Sequence, residues 1–567
     1  MLLQHGVTAQ ARRRPDAVAL VFKNTRMTYR ALEEASNQLA QFLRAAGCEH
    51  GDRVGFLMPK QPMAVVAMLG ALKAGAIYVA LDPGGPKARL ARVLEVSDCR
   101  CILTAGQVGP LLADTLATAA LQRRPMIGWL DDAPWSGIDP PDFDLQDLAA
   151  YSTTEPFFPP AKNHAGSDAD VALLLFTSGS TGLPKGVMVT HQSIIAFLRW
   201  AMQYFEIDAT DRVSQHPPLQ FDISTLDIYA TLWAGGQVHL VPSELNLLPH
   251  KLAQFIREGE LTQWFSVPSM LNLMANFDVV RQGDFPALRR VLFAGEVLPT
   301  PTLIYWMRRL PHVSFTNLYG PTETTISSSY YSVPRCPVNE QEPIPIGTAC
   351  AGEELLILDE DLRPVATGAT GELYIGGVGV SPGYWRDQER TRGAFIADPR
   401  SADPQQRIYK TGDLVRCDEN GLVHFLGRAD MQIKSRGYRI ELGEIEAALH
   451  SLPDLRESAV VAIQSEGFER WQICCAYAPA PERSVAPEGL RKALATLVPT
   501  YMLPARWLRY DALPKNPNGK IDRSLLKATF ARAEPCPVKT EAPAPESGNS
   551  DRFTSPAVRS TQKGSGS

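Results

Sequence analysis

Residues 174–186 hold the densest set of chemically useful groups in the chain. An apolar run, Leu174-Leu175-Phe176, opens into Thr177, Ser178, Gly179, Ser180, Thr181 and Gly182, and the stretch closes on Lys185-Gly186. Glycines let the main chain approach an anion closely, and the hydroxyls stand beside backbone N–H donors. Lys185 adds a point positive charge. Such a loop handles phosphate. Its lysine follows Leu183-Pro184 and precedes Gly186, so the Walker spacing of P-loop nucleotide hydrolases is excluded. A flexible Gly/Ser connector accounts for a fragment of this loop, not for all thirteen residues.

Other segments place charge where chemistry could use it. Asn317-Leu318-Tyr319-Gly320-Pro321-Thr322-Glu323 sets a ring, a turn and a carboxylate together, although Tyr-Gly-Pro-Thr alone also reads as a type I turn. Asp413 follows a glycine turn in Tyr409-Lys410-Thr411-Gly412-Asp413. Lys434 and Lys520, taken singly, read as solvated surface lysines. Asp222, in Phe221-Asp222-Ile223-Ser224, is costly to bury unless a cation or donors meet it. The other reading of Asp222 is a cap on a helix beginning at Ile223.

The elements that must position these groups follow from pattern. At 567 residues the chain exceeds one core. Helical patterns alternate with apolar runs (53–58, 76–81) from 28 to 103, and resume from 171 to about 330 with helices at 192–204 and 248–258 and strands at 237–241 and 290–293. Residues 131–170, rich in Asp, Pro and Ser, read as a surface connection. Short strands with glycine turns over 345–427 predict a β-rich subdomain, and a smaller α+β segment follows. Residues 534–567 lack an apolar face and read as a disordered tail.

Composition narrows the function. A net charge of -5 with scattered Lys and Arg offers no basic face for nucleic acid. Nine cysteines without C-x-x-C spacing suggest a reduced protein without structural zinc. No signal-peptide core follows Arg12-Arg13-Arg14, and the apolar stretch 62–81 reads as a buried helix plus strand, not a membrane span. A cytoplasmic location is expected.

Taken together, these motifs resemble the adenylate-forming superfamily of acyl-CoA synthetases, luciferases and nonribosomal-peptide-synthetase adenylation domains, over about residues 8–530. The resemblance implies an α/β fold: a large N-terminal domain of α/β sheets with a β-barrel-like subdomain (1–429), a small mobile α+β lid (430–530) and a tail (531–567). It implies ATP and Mg²⁺. Thr177, Ser178, Gly179, Ser180, Thr181, Gly182 and Lys185 would hold phosphates, and Tyr319 would stack on adenine beside Asn317, Leu318, Gly320, Gly295 and Glu296. Thr322 would touch the α-phosphate and Glu323 would hold the metal, an oxygen ligand for a hard cation. Asp413 and Arg428 would bind ribose. Lys520 would neutralise charge on the reacting carboxylate and α-phosphate, Asp430 would be the hinge, and Lys434 would serve after the lid rotates. His216 resembles a gate near the thiol tunnel, or is a core histidine.

In the family's amino-acid-activating members an Asp at the place of Asp222 pairs with the substrate ammonium. The pocket carried over position by position is Asp222, Ile223, Leu226, Phe265, Leu292, Ala294, Leu318, Ile326, Ser327 and Lys520, which favours a small to medium apolar side chain. It resembles the lining of free-standing prolyl-carrier-protein ligases, so proline is the first expectation. A β-amino acid starter, or an acyl-CoA or acyl-carrier ligase, is the alternative. No condensation, carrier or thioesterase motif is found, so a stand-alone ligase is expected, and the resemblance implies an acid–thiol ligase of antibiotic-type peptide biosynthesis. Such a ligase would load the phosphopantetheine of a separate carrier protein, without nucleic acid or membrane partners.

Overall fold

The strands Arg53–Leu57, Ile77–Leu81 and Cys101–Thr104 are buried along their whole length, the pattern of a parallel sheet covered on both faces. The computed structural model describes residues 1–532 except 136, 138, 155–166, 180–182, 431, 465–470, 482, 484 and 517–519. Among these residues the three strands lie in a seven-stranded sheet, continued on one side by Val171–Thr177 and Lys185–Thr190 and on the other by Met126–Trp129 and Phe143–Asp144. All its pairs are parallel except the last, where Val171–Thr177 runs against Lys185–Thr190. The phosphate loop therefore closes a hairpin at the sheet edge, and does not lead straight into a helix. The helix His191–Tyr204 follows the second strand, its N-terminus capped by the Thr190 hydroxyl.

A nine-stranded sheet carries the other half of the large domain. Its inner strands, Arg290–Ala294, Gln263–Ser266, Arg212–Gln215 and Gln237–Leu240 among them, are parallel, with antiparallel strands at both edges. Ala294 and Tyr319 stand at the C-terminal ends of neighbouring strands, where open α/β sheets present their ligand crevices. Asp222 starts a helix at Ile223–Thr225 that widens into a π turn at Leu226–Ala230 and returns to α at Thr231–Ala234.

The β-rich subdomain is a five-stranded antiparallel sheet organised by the long strand Arg407–Cys417. Its apolar cluster of Ile346, Leu373, Ile375, Val415 and Val423 includes Tyr319, which ties it to the large sheet. The small C-terminal domain has its own cores. It comprises the hairpin Gln432–Ser435/Tyr438–Glu441, a three-stranded sheet, and the helices Leu442–His450, Pro487–Leu494 and Arg523–Arg532.

The connection 131–170 is more structured than expected. Phe143–Asp144 adds a strand to the seven-stranded sheet, and Asp144 caps the helix Leu145–Ala149 through the N–H groups of Gln146 and Asp147. Elements this short leave no periodicity to read. The tail from 533 onward lies outside the described residues. No described helix is long and apolar enough to cross a membrane.

Candidate active site

The hairpin loop after Thr177, the strand end at Tyr319 and the helix start at Asp222 meet the small domain in one cleft. A cavity of about 140 Å³ is lined by Thr177, Ser178, Asp222, Ile223, Ala294, Gly320, Thr322, Ile326, Asp413, Arg428 and Lys434. A wider one of about 1010 Å³ is lined by Gly295, Glu296, Asn317, Leu318, Tyr319 and Asp430, and shares Asp413, Arg428 and Lys434 with the first. Residues far apart in sequence thus converge. Ser180, Thr181 and Gly182 lie outside the described residues.

Glu323 is the electrostatic centre. It is fully buried, accepting from Lys185 Nζ at 3.0 Å, the Tyr384 hydroxyl at 2.8 Å and Arg439 Nη1 at 2.7 Å. Burial alone would raise its pKa, but Arg439 and Lys185 outweigh it and hold the carboxyl well below the usual carboxylate range. An ionised, buried carboxylate beside the phosphate loop is a donor set that suits a hard divalent cation. Lys185, expected on phosphate, here serves this carboxylate.

The residues expected to meet adenosine are also linked to one another. Asp413 accepts from Arg428 Nη1 at 2.6 Å and from the Tyr319 hydroxyl, and strand register places Asp413 opposite Arg428. Arg428 Nε reaches Asp430 at 2.7 Å. Asn317 Nδ2 donates to the Pro345 carbonyl. Glu296 binds the N–H groups of Ser269 and Gly437, so it joins the large domain to the tip of the small-domain hairpin.

Asp222 does two things at once. Its Oδ1 accepts from its own helix's first N–H, Ile223 N, at 2.8 Å, and its carboxylate faces the cavity, hydrogen-bonded also to Thr322. Burial pushes its pKa up to about 6, against those hydrogen bonds and the Lys434 charge. Asp222 thus caps its helix and also faces the cavity.

Besides Lys520, four of the expected pocket residues line neither cavity. Leu226, Phe265 and Leu292 pack into one apolar cluster with Ile223, Ala294, Leu318 and Ile326, and Ser327 is buried with its hydroxyl unpartnered among the described residues. The apolar wall exists, but its deeper layer is closed by side-chain contact. Leu318 faces the wider cavity.

The two lysines of the small domain are placed differently. Lys434 enters the cleft, its ammonium 5.6 Å from the Tyr319 ring centroid and within the fields of Asp413 and Asp222. Lys520 is exposed and lines neither cavity; its N–H bonds the Asn516 side chain. His216 is buried against Trp264, pushed down to about 3 by burial and so neutral, and also lines neither cavity. It is a core histidine here.

Sequence reasoning missed Tyr384, Arg439, Glu444 and Arg89. Arg439 sits two residues after Gly437 in the segment that holds Lys434, and alternation along the strand Tyr438–Glu441 puts 439 on one face with 441. Glu444 accepts from Gly179 N at 3.3 Å and pairs with Arg89.

Residues 7–385 match the AMP-binding enzyme family and residues 444–520 its C-terminal domain. The chain belongs to the AMP-binding enzyme family. It is 37% identical over 531 residues to the phosphinothricin tripeptide synthetase PhsC of Streptomyces viridochromogenes, covering 93% of this chain but 45% of that protein. It is also 35% identical over 506 residues to the L-proline--[L-prolyl-carrier protein] ligase of Streptomyces coelicolor, covering 88% of this chain and 91% of that one. Among solved structures, the Vibrio cholerae adenylation domain AlmE in complex with glycyl-adenosine-5'-phosphate superposes with a TM-score of 0.78 at 25% identity, covering 93% of this chain and 97% of that one. This member of the family thus folds as an adenylation domain, and it spans less than half the length of several of its relatives.

Proposed function

We propose that this AMP-binding enzyme activates an apolar amino acid as its aminoacyl adenylate and passes the acyl group to the phosphopantetheine thiol of a carrier protein. The carrying observation is the cleft where Thr177, Ser178 and Asp222 line one cavity with Asp413 and Arg428, Tyr319 lines the adjoining one, and buried Glu323 lies behind, bonded to Lys185 and Arg439. Phosphate, metal, ribose and ammonium chemistry are then all within reach of one substrate pair.

In the first half-reaction the amino acid carboxylate attacks the α-phosphorus of ATP, and the bond to the β-phosphate oxygen breaks as pyrophosphate leaves. Asp222 holds the ammonium, and the loop donors Ser178 Oγ and Gly179 N, now bonded to the small domain, are released to phosphate when that domain turns. A magnesium ion held by Glu323 would supply charge neutralisation at the phosphates. Lys520 serves this step with the small domain turned about Asp430. In the present arrangement Lys434 and its hairpin occupy the cleft instead, which fits the second half-reaction. There the thiol attacks the mixed anhydride and AMP departs.

The wall of Ile223, Ala294 and Ile326, with an apolar cluster behind it, gives a charged substrate side chain nothing to pair with, and the proline ligase among its relatives makes proline the first candidate. Amino-acid-dependent ATP–pyrophosphate exchange tests this reading, across proteinogenic and β-amino acids, fatty acids and aryl acids. Exchange with proline or another apolar amino acid is expected. Exchange with fatty or aryl acids alone removes Asp222 from its role.

A further inference from the structure

The wall residue Ile326 reaches the cavity from a backbone that β-branched residues rarely adopt. Thr325 and Ile326 have positive φ, 57° and 69°, and the Ser327 N–H closes on the Thr325 carbonyl at 2.9 Å, the rare and strained hand of a three-residue turn. Residues 324–328 are all buried. Strain of this kind persists only where the surroundings over-determine it. Here the surroundings come from another part of the fold, residues 378–381, which follow the strand Thr370–Gly377 of the β-rich subdomain. The Thr325 hydroxyl donates to the Gly379 carbonyl at 2.8 Å, and the Ser381 N–H donates to the Glu323 carbonyl at 2.9 Å. A Cβ on Gly379 would lie 2.6 Å from the Thr324 carbonyl oxygen, so the two segments are in close backbone contact. The supporting segment is itself held from three sides. Glu353 Oε1 accepts from Gly379 N at 2.8 Å, the Ser193 hydroxyl donates to the Val378 carbonyl at 2.8 Å, and the Ser381 hydroxyl donates to that of Met188 at 2.6 Å.

We propose that residues 378–381 brace the Thr325–Ile326 turn and thereby set the size of side chain that the cavity admits, with Thr325 and Gly379 as positioning residues for Ile326. The proposal rests on the adenylation reading of the cleft. It adds that selectivity is fixed from behind the wall, because neither Thr325 nor any residue of 378–381 lines a cavity. Without the bond from Thr325 to Gly379, the two strained residues are free to leave positive φ, and Ile326 turns away from the place where it walls the cavity. The size limit is then lost while Asp222 and the phosphate loop keep their places.

The test is ATP–pyrophosphate exchange by the full chain with L-alanine, L-proline, L-valine, L-leucine, L-phenylalanine and L-tryptophan. It is read as the ratio of kcat/KM for the wild type's best substrate to kcat/KM for the larger members of the series. Thr325→Val keeps the shape and removes the hydroxyl, and the ratio should fall at least about tenfold, the discrimination that one methylene supplies. Thr325→Ser keeps the hydroxyl and should retain the wild-type ratio. Gly379→Ala acts from the other side, pushing the brace off the Thr324 carbonyl, and should lower the same ratio with Thr325 unchanged. It decides alone if Thr325→Val does not fold. A purely structural role would lower kcat/KM for every amino acid by one factor, and the melting temperature with it. That outcome, or a wild-type ratio in both variants, overturns the proposal and leaves the adenylation reading standing. Absence of exchange with every amino acid in the wild type overturns both.

Discussion

Lys434 and Lys520 are carried by the same small domain and meet opposite surroundings. Lys434 stands in the cleft near Tyr319, Asp413 and Asp222, where burial lowers its pKa against the pull of Asp413. Lys520 lies in solvent beside the isolated bridge between Lys515 and Ile521. Nothing in the side chains separates them. What separates them in this structure is where the domain rests; on the proposed two-step reaction, seating one lysine would withdraw the other. A single rigid cleft would need both cations at once, crowding like charges onto one substrate; alternation avoids that repulsion.

The sharpest way to break this contrast is Lys520→Ala. Exchange should fall by about 10²–10³-fold, the usual effect of losing one transition-state donor, while acyl transfer from preformed adenylate stays near wild type. Equal loss of both steps would mean that the lysines do not divide the work. Lys434→Ala should do the reverse on a smaller scale, slowing transfer about ten- to thirtyfold in a single-turnover assay and sparing exchange, because it supplies one partly buried charge.

Asp222 sharpens the contrast from the substrate's side. Its pKa is raised to about 6, so the charged form that pairs with an ammonium prevails above that pH and is lost below it. The kcat/KM for exchange should therefore drop about tenfold per unit below pH 6, the limb that reports a free-enzyme group. In Asp222→Asn that limb should vanish along with most activity. The smallest effect expected is that of Tyr384→Phe. It removes one hydrogen bond to Glu323 but keeps the ring 4.8 Å from Lys185, and thermal denaturation should show a loss of about 1 kcal/mol.

Much of this was legible in the residues. The helices 192–204 and 248–258 differ by one residue at their starts from His191–Tyr204 and Pro249–Glu258, because long amphipathic periods bounded by caps and prolines leave little choice. The strands Arg53–Leu57, Ile77–Leu81 and Arg290–Ala294 follow from short, mainly apolar runs. Convergence of Thr177, Tyr319, Glu323 and Asp413 was readable from the motifs. What escaped notice was pairing across the two domains: Arg439 with Glu323, Glu444 with Gly179, Arg89 with Glu444. Such contacts depend on how one folded body lies on another, and no local period or propensity encodes that. The closed deeper wall at Leu226, Phe265 and Leu292 escaped for a similar reason, since pocket positions tell which side chains are near a substrate but not how much room they leave.

The small-domain hairpin seats through a tip that has no room for a side chain. Arg436 and Gly437 both have positive φ, 53° and 78°, and a Cβ at 437 would lie 2.5 Å from Val267. A side chain there keeps the tip from seating. The mixed anhydride would then sit in a cleft left open to water, and hydrolysis would outrun the arrival of a carrier. Gly437→Ala should therefore release AMP steadily with amino acid present and no carrier added. On the proposed function, Gly437 would then separate an enzyme that loads a carrier from one that turns over ATP in an idle cycle.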